Sequence, residues 1–195
     1  MKKTVNVIFL AIFVVLYLAG CSTAPTTIQV PMAYTPTNPV EPPRTLKNTP
    51  IYFASFQDQR KNPEQIGANN EKEPPVPAKS SPEDVMSALE KAFKEGFSRA
   101  GLNVVESQDQ AQRIIRVTLQ NLWVEEKNTF DAVVGVNVEV KDRTGQVLAS
   151  EGFNGVKKRW GSSYGSEEYR KVISDAYMEM INNIFKNDAF MQKLL

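Results

Sequence analysis

The clearest pattern along the chain lies at residues 130–140, where Phe130, Ala132, Val134, Val136, Val138 and Val140 take every second position and Asp131, Asn137 and Glu139 fall between them. A period of two places the first set on one face of a β-strand and the second on the other. Ile115, Val117 and Leu119 alternate likewise with Arg116, Thr118 and Gln120, and the alternation slips near Asn121, which predicts a bulge at Leu122-Trp123-Val124. Asp142-Arg143-Thr144-Gly145 has turn composition and leads into a return strand at 147–153. The short runs 51–56 and 102–106 read as further strands. Two segments carry a helical period instead. Ser81-Pro82-Glu83-Asp84 is a helix start, Val85, Leu89, Phe93 and Phe97 give one apolar face, and Gly101 ends it. Ser166 can cap a second helix, in which Tyr169, Val172, Ile173, Ala176, Tyr177, Met180, Ile181, Ile184 and Phe185 form a broad apolar stripe. The order β-α-β-β-β-β-α predicts an α+β fold, an antiparallel sheet of four to five strands with both helices packed on one face.

The apolar residues at the start of the chain follow neither period. Lys2 and Lys3 precede the run VNVIFLAIFVVLYLAG, which is too short for the roughly 20 apolar residues of a membrane-spanning helix and is built like a secretory signal. It ends in Leu18-Ala19-Gly20-Cys21, which resembles the cleavage motif of bacterial lipoproteins. That resemblance implies removal of residues 1–20, lipidation of the Cys21 thiol and acylation of the new amino group. Two other readings stay open, an incidental cysteine closing an uncleaved anchor and a chance match beside an ordinary signal peptide. Cys21 is the only cysteine, so the remaining chain can form no internal disulfide. Ser22 stands where inner-membrane lipoproteins often carry Asp, which by analogy favours the outer membrane.

All 12 prolines fall between Pro25 and Pro82. Residues 21–50 are rich in Pro and Thr and show no period, so they are expected to form an extended tether after the lipidated cysteine, ahead of a globular domain at 51–195. Within that domain residues 57–80 read as one long polar loop, functional or disordered.

Charge and composition narrow the chemistry. Of the 23 Lys and Arg residues two precede the apolar run, so the other 21 face 22 acids and the formal charge of the cleaved chain is −1. That balance gives no electrostatic case for nucleic acid. The chain has no histidine, which removes His-based triads, and the glycines form no phosphate-binding loop. Without histidine or a second cysteine no usual zinc site can form, and no cofactor is expected. Neighbouring acids such as Glu125-Glu126 and Glu167-Glu168 diverge on either kind of element, so no catalytic residues are assigned and no enzyme is expected.

Two polar stretches are candidates for binding. Asp58 and Arg60 close the first strand, where they either pair or cap a turn, or serve recognition at a strand end. Lys157, Lys158 and Arg159 stand beside Trp160 and Tyr164 in a Gly- and Ser-rich segment, which reads as an interface anchor or as a hydrophobic flap over the sheet edge. The cleavage motif, the Thr26-Thr27-Ile28 start of the tether, Asp58 and Arg60 followed by Ile66-Gly67, and a helix ending in glycine before a strand together resemble the YajG-like lipoproteins of Gram-negative bacteria. The resemblance spans most of the cleaved chain and brings no catalytic residues. It implies an outer-membrane, periplasm-facing lipoprotein, a membrane partner through its lipid. The expected role is a non-catalytic accessory module for an envelope protein; the alternative is a carrier of a small lipid or glycan between sheet and helices.

Overall fold

The computed structural model describes residues 26–44 and 48–195. The apolar run and Cys21 lie outside the described residues. Seven strands form one sheet: β1 (Ile28–Gln29), β2 (Ile51–Asp58), β3 (Gln65–Asn69), β4 (Val76–Lys79), β5 (Arg113–Glu126), β6 (Phe130–Asp142) and β7 (Val147–Arg159). Helices α1 (Pro82–Arg99), α2 (Ser166–Lys186) and a short α3 (Asp188–Leu194) accompany it. The class is α+β as expected, with more strands and one more helix among the described residues. The segment at 102–106 contributes only an isolated bridge between Ile51 and Val104.

The sheet runs β1-β4-β3-β5-β6-β7, with β2 also paired to β5. It is mixed rather than antiparallel, because β5 serves two parallel partners on one edge. β2 lies along its first half, Ile51 opposite Arg113 to Asp58 opposite Leu119, and β3 along its last residues, Gly67 opposite Val124 to Asn69 opposite Glu126. The polar loop expected at 57–80 therefore contains two strands. They are short, interrupted by Pro77 and Gly67, and gain order from pairing with distant residues. β5 does bulge, between Leu119 and Asn121, where the alternation slips, and not at Leu122-Trp123-Val124, which pairs in regular register.

Local chemistry sets the element ends. The Ser81 hydroxyl accepts the Asp84 N–H at 3.0 Å, capping α1, and Gly101 at φ +84° stops it. Asp142 Oδ1 accepts from the Thr144 and Gln146 N–H groups and turns the β6–β7 hairpin. Both long helices cover one face of the sheet. Phe53, Phe93, Phe97 and Phe185 meet there with ring centroids 5.0 to 5.8 Å apart. At Gly155 of β7 a Cβ would run into the Ala176 carbonyl oxygen, so α2 lies almost on the strand backbone.

The tether expected at 21–50 is extended, but among the described residues it is part of the folded body. Ile28, Val30 and Tyr34 are buried in the core. Residues 34–44 then run along α2 as a strap. Its backbone and side chains bond to Ser174, Asp175 and Asn182, and Glu41 and Arg44 reach Lys186 and Asp188. Proline-rich chain makes no ladder of its own, so it takes its hydrogen bonds from polar side chains on the helix.

Candidate functional site

Asp58 and Arg60 are brought together, and inside the protein. The guanidinium forms a forked pair with the carboxylate, with the shortest contact 2.7 Å, and the two side chains are 5% and 12% exposed for Arg60 and Asp58. Arg60 Nη2 also donates to the Pro63 carbonyl at 2.6 Å. This clamp fixes the excursion between β2 and β3, so that the chain leaves the β5 edge and returns to it further along. At Gly67 a Cβ would strike the Val124 carbonyl, so glycine is what lets β3 approach β5. The motif is explained by folding.

The basic stretch is divided between two faces. Lys157 and Arg159 point to the helix side, where Lys157 meets Glu179 at 3.0 Å and Arg159 meets Glu168 at 2.8 Å and Asp175 at 3.5 Å. Lys158 lies on the other face with Asp131 at 3.4 Å. Tyr164, at φ +60°, donates its backbone N–H to the buried Glu126 carboxylate at 2.9 Å. Burial pushes the neighbouring Tyr169 phenol far above its ordinary range, and the Glu126 charge pushes the same way. Asn69, Ser163 and Glu71 continue the network, Asn69 donating to the Ser163 hydroxyl and that hydroxyl to Glu71. These bonds fold the segment after β7 over the sheet end and leave Trp160 outside, 77% exposed.

The sheet face away from the helices carries a feature that sequence reasoning missed. Trp123 pairs with Val133, and Val133 with Val156, so three large apolar side chains form a row across β5, β6 and β7. They are 38%, 36% and 61% exposed in that order. The Lys158–Asp131 and Lys127–Glu125 pairs border the row on one side, and Asn121 and Asn154 border it on the other. An apolar row with a polar rim has the composition of a protein interface. The visible signal was Val133 and Val156, apolar at positions whose period assigns them to the wet face.

Buried side chains fill most of the space between sheet and helices. Of the clefts, one of about 240 Å³ lies beside α3 and is lined by Pro43, Arg44, Phe185 and Leu195 among others. Another of about 470 Å³ runs between β2 and α1, lined by Tyr52, Phe56, Glu83, Glu90 and Glu106 among others. Among the described residues, no group of three or more His, Cys, Asp or Glu side chains is placed to hold a metal, and no helix is long and apolar enough to cross a membrane.

An α+β domain whose sheet leaves one face open to solvent is the class that this geometry defines. The chain belongs to the family described as uncharacterized lipoprotein, which matches residues 43–195. It is therefore a lipoprotein, and family membership points to a membrane-anchored place in the cell envelope. No curated protein matches it. Among solved structures it is similar to a protein from Xanthomonas campestris, at 12% identity over 87% of this chain and 95% of that one, with a TM-score of 0.51. That likeness concerns the fold. A PelC dodecamer from Paraburkholderia phytofirmans matches at 15% identity, 70% and 82% coverage and a TM-score of 0.42. Lipoprotein GNA1162 from Neisseria meningitidis matches at 10%, 60% and 88%, and 0.39.

Proposed function

We propose that this chain is a non-catalytic lipoprotein, anchored through Cys21 to the outer membrane and facing the periplasm, that docks an envelope protein on the open face of its sheet. The observation that carries the reading is the Trp123–Val133–Val156 row. Burying these side chains on a partner removes apolar area from water at about 25 cal/mol per Å², and the aromatic anchor at the row's end is the residue type that most often dominates binding energy. The flanking ion pairs supply a polar rim. The Asp58–Arg60 clamp and the paired cations are occupied in holding the fold, which leaves the open face as the docking surface.

A photo-crosslinking residue at Val156 in intact cells tests this, with the same residue at Ser150 as the comparison on the same strand and face. The expected outcome is a discrete protein adduct from position 156 and a much weaker one from position 150. No protein adduct from position 156, with the chain folded and membrane-bound, would overturn the docking assignment.

A further inference from the structure

The path of the chain sets which end of the body can reach a membrane. β1 is parallel to β4, with Ile28 opposite Ala78, and the ladder continues through β3 to β5, so the chain enters β1 from the side of Val76, Asn69 and Glu126. That side is one end of the sheet. It also carries the β5–β6 turn at Lys127, the loop with Lys72, and the segment after β7 with Trp160. Loop and turn are neighbours, since Lys72, Pro75 and Lys127 line one surface cleft.

Cys21 precedes Thr26 by five residues. At about 3.3–3.6 Å per residue the chain between them spans no more than about 18 Å. The opposite end of the sheet lies about 40 Å away along the 14 residues of β5. An acyl chain on Cys21 therefore holds the Thr26 end at the bilayer and leaves the Asp142–Gly145 turn distant from it.

We infer that the sheet end formed by the Lys72 loop, the Lys127 turn and Trp160 rests on the phospholipid surface, with the Trp160 indole in the headgroup layer. This inference rests on the anchor at Cys21. Among the described residues Trp160 is the most exposed of the large apolar side chains, and indole combines an apolar body with a polar N–H in the way that suits a membrane interface. Charge around it is balanced: Lys127 and Lys158 are paired with Glu125 and Asp131, and Glu71 and Glu73 flank Lys72. The surface thus suits zwitterionic headgroups more than a strongly anionic membrane. One indole binds a bilayer weakly on its own. The lipid makes its insertion an intramolecular event, at an effective concentration that a short linker keeps high. In this orientation the Trp123–Val133–Val156 row stands above the lipid, open to a partner alongside.

The chain has two tryptophans, so the full lipidated protein with Trp123→Phe reports Trp160 alone. It is reconstituted into vesicles of phosphatidylethanolamine and phosphatidylglycerol whose acyl chains are brominated near the headgroup. Trp160 emission is expected to shift to the blue and fall by about half relative to unbrominated vesicles, as fits an indole at the headgroup and acyl boundary. The Trp160→Phe protein, reporting Trp123, is expected to keep its emission. A spacer of about 30 Gly and Ser residues inserted before Thr26 is expected to weaken the Trp160 quenching, because a longer leash lowers the effective concentration. Lipidated protein that floats with the vesicles while Trp160 stays unquenched overturns this inference and leaves the anchor standing. Protein whose Cys21 carries no lipid in its mass spectrum overturns both.

Discussion

Thr37 places its backbone N–H and its hydroxyl on the two oxygens of the Asp175 carboxylate, at 2.6 and 2.7 Å. Asp175 is a buried acid within the apolar stripe of α2, and its second oxygen also faces Arg159 at 3.5 Å. One side chain thus joins the strap, the helix and the end of β7. A hydrogen bond to a charged group contributes about 1.5–3 kcal/mol, so Asp175→Ala should destabilise the domain by several kcal/mol, and Thr37→Val by about 1–2 kcal/mol. Urea denaturation of the two variants checks the ranking. A Thr37→Val loss equal to that of Asp175→Ala would mean that the Thr37 backbone bond and the Arg159 contact contribute nothing.

The strap makes a prediction about where the fold begins. A chain starting at Thr26 keeps Ile28, Val30 and Tyr34 in the core, whereas one starting at Asn48 exposes the apolar surface that they cover. Each such side chain contributes about 1.5–3 kcal/mol on burial. The shorter chain is expected to melt at much lower temperature or to aggregate. Equal melting temperatures would show that the strap adds nothing to the fold.

Arg60 is expected to tolerate no substitute. Lysine keeps the charge and loses the fork that holds both Asp58 oxygens and the Pro63 carbonyl. Removing one partner of a buried pair costs about 3–5 kcal/mol, so Arg60→Ala should lower the urea midpoint sharply, with Arg60→Lys between it and the parent. Binding at Val156, read by crosslinking, should persist in whatever fraction remains folded.

Three tyrosines give the domain an alkaline limit. The Tyr34, Tyr169 and Tyr177 phenols are all raised above their ordinary range, with burial the largest cause in each. In the unfolded chain they ionise near pH 10, and in the folded protein they hold their protons to higher pH. The stability tied to these protons is therefore fully present below about pH 10 and is lost as pH rises beyond it, by up to about 4 kcal/mol per pH unit for the three together. Urea midpoints at pH 8, 10 and 11 should show a plateau and then a steep fall. Tyr177→Phe should be close to neutral at pH 8, because that hydroxyl has no hydrogen-bond partner among the described residues, and should reduce the slope by about a third.

How much of this was legible depended on how local the cause was. Ser81 as cap, Asp142 to Gly145 as turn, the β6 alternation and the α2 stripe all act within a few residues, and each is in place. Strands β1, β3 and β4 have two to five residues, and their order comes from partners far away in the chain. The strap left one trace: Ser174, Asp175 and Asn182, polar within an apolar stripe, required partners that α2 itself does not supply. At the candidate site, the stretch from Lys157 to Arg159 looked like one cationic cluster, but a strand sends alternate residues to opposite faces, and acids from β6 and α2 meet them there. The Trp123–Val133–Val156 row depends on register across three strands and on the bulge before Asn121, so composition gives little hint of it.

The central claim is that a lipid on Cys21 holds a body whose fold begins within a few residues of it. Intact-mass spectrometry of the protein extracted from membranes tests this most directly. A chain that starts at residue 21 and is heavier than its sequence by a diacylglyceryl group and an amide-linked acyl chain is the expected result. A chain with an unmodified thiol at that position, or one that retains the first 20 residues, would contradict the account.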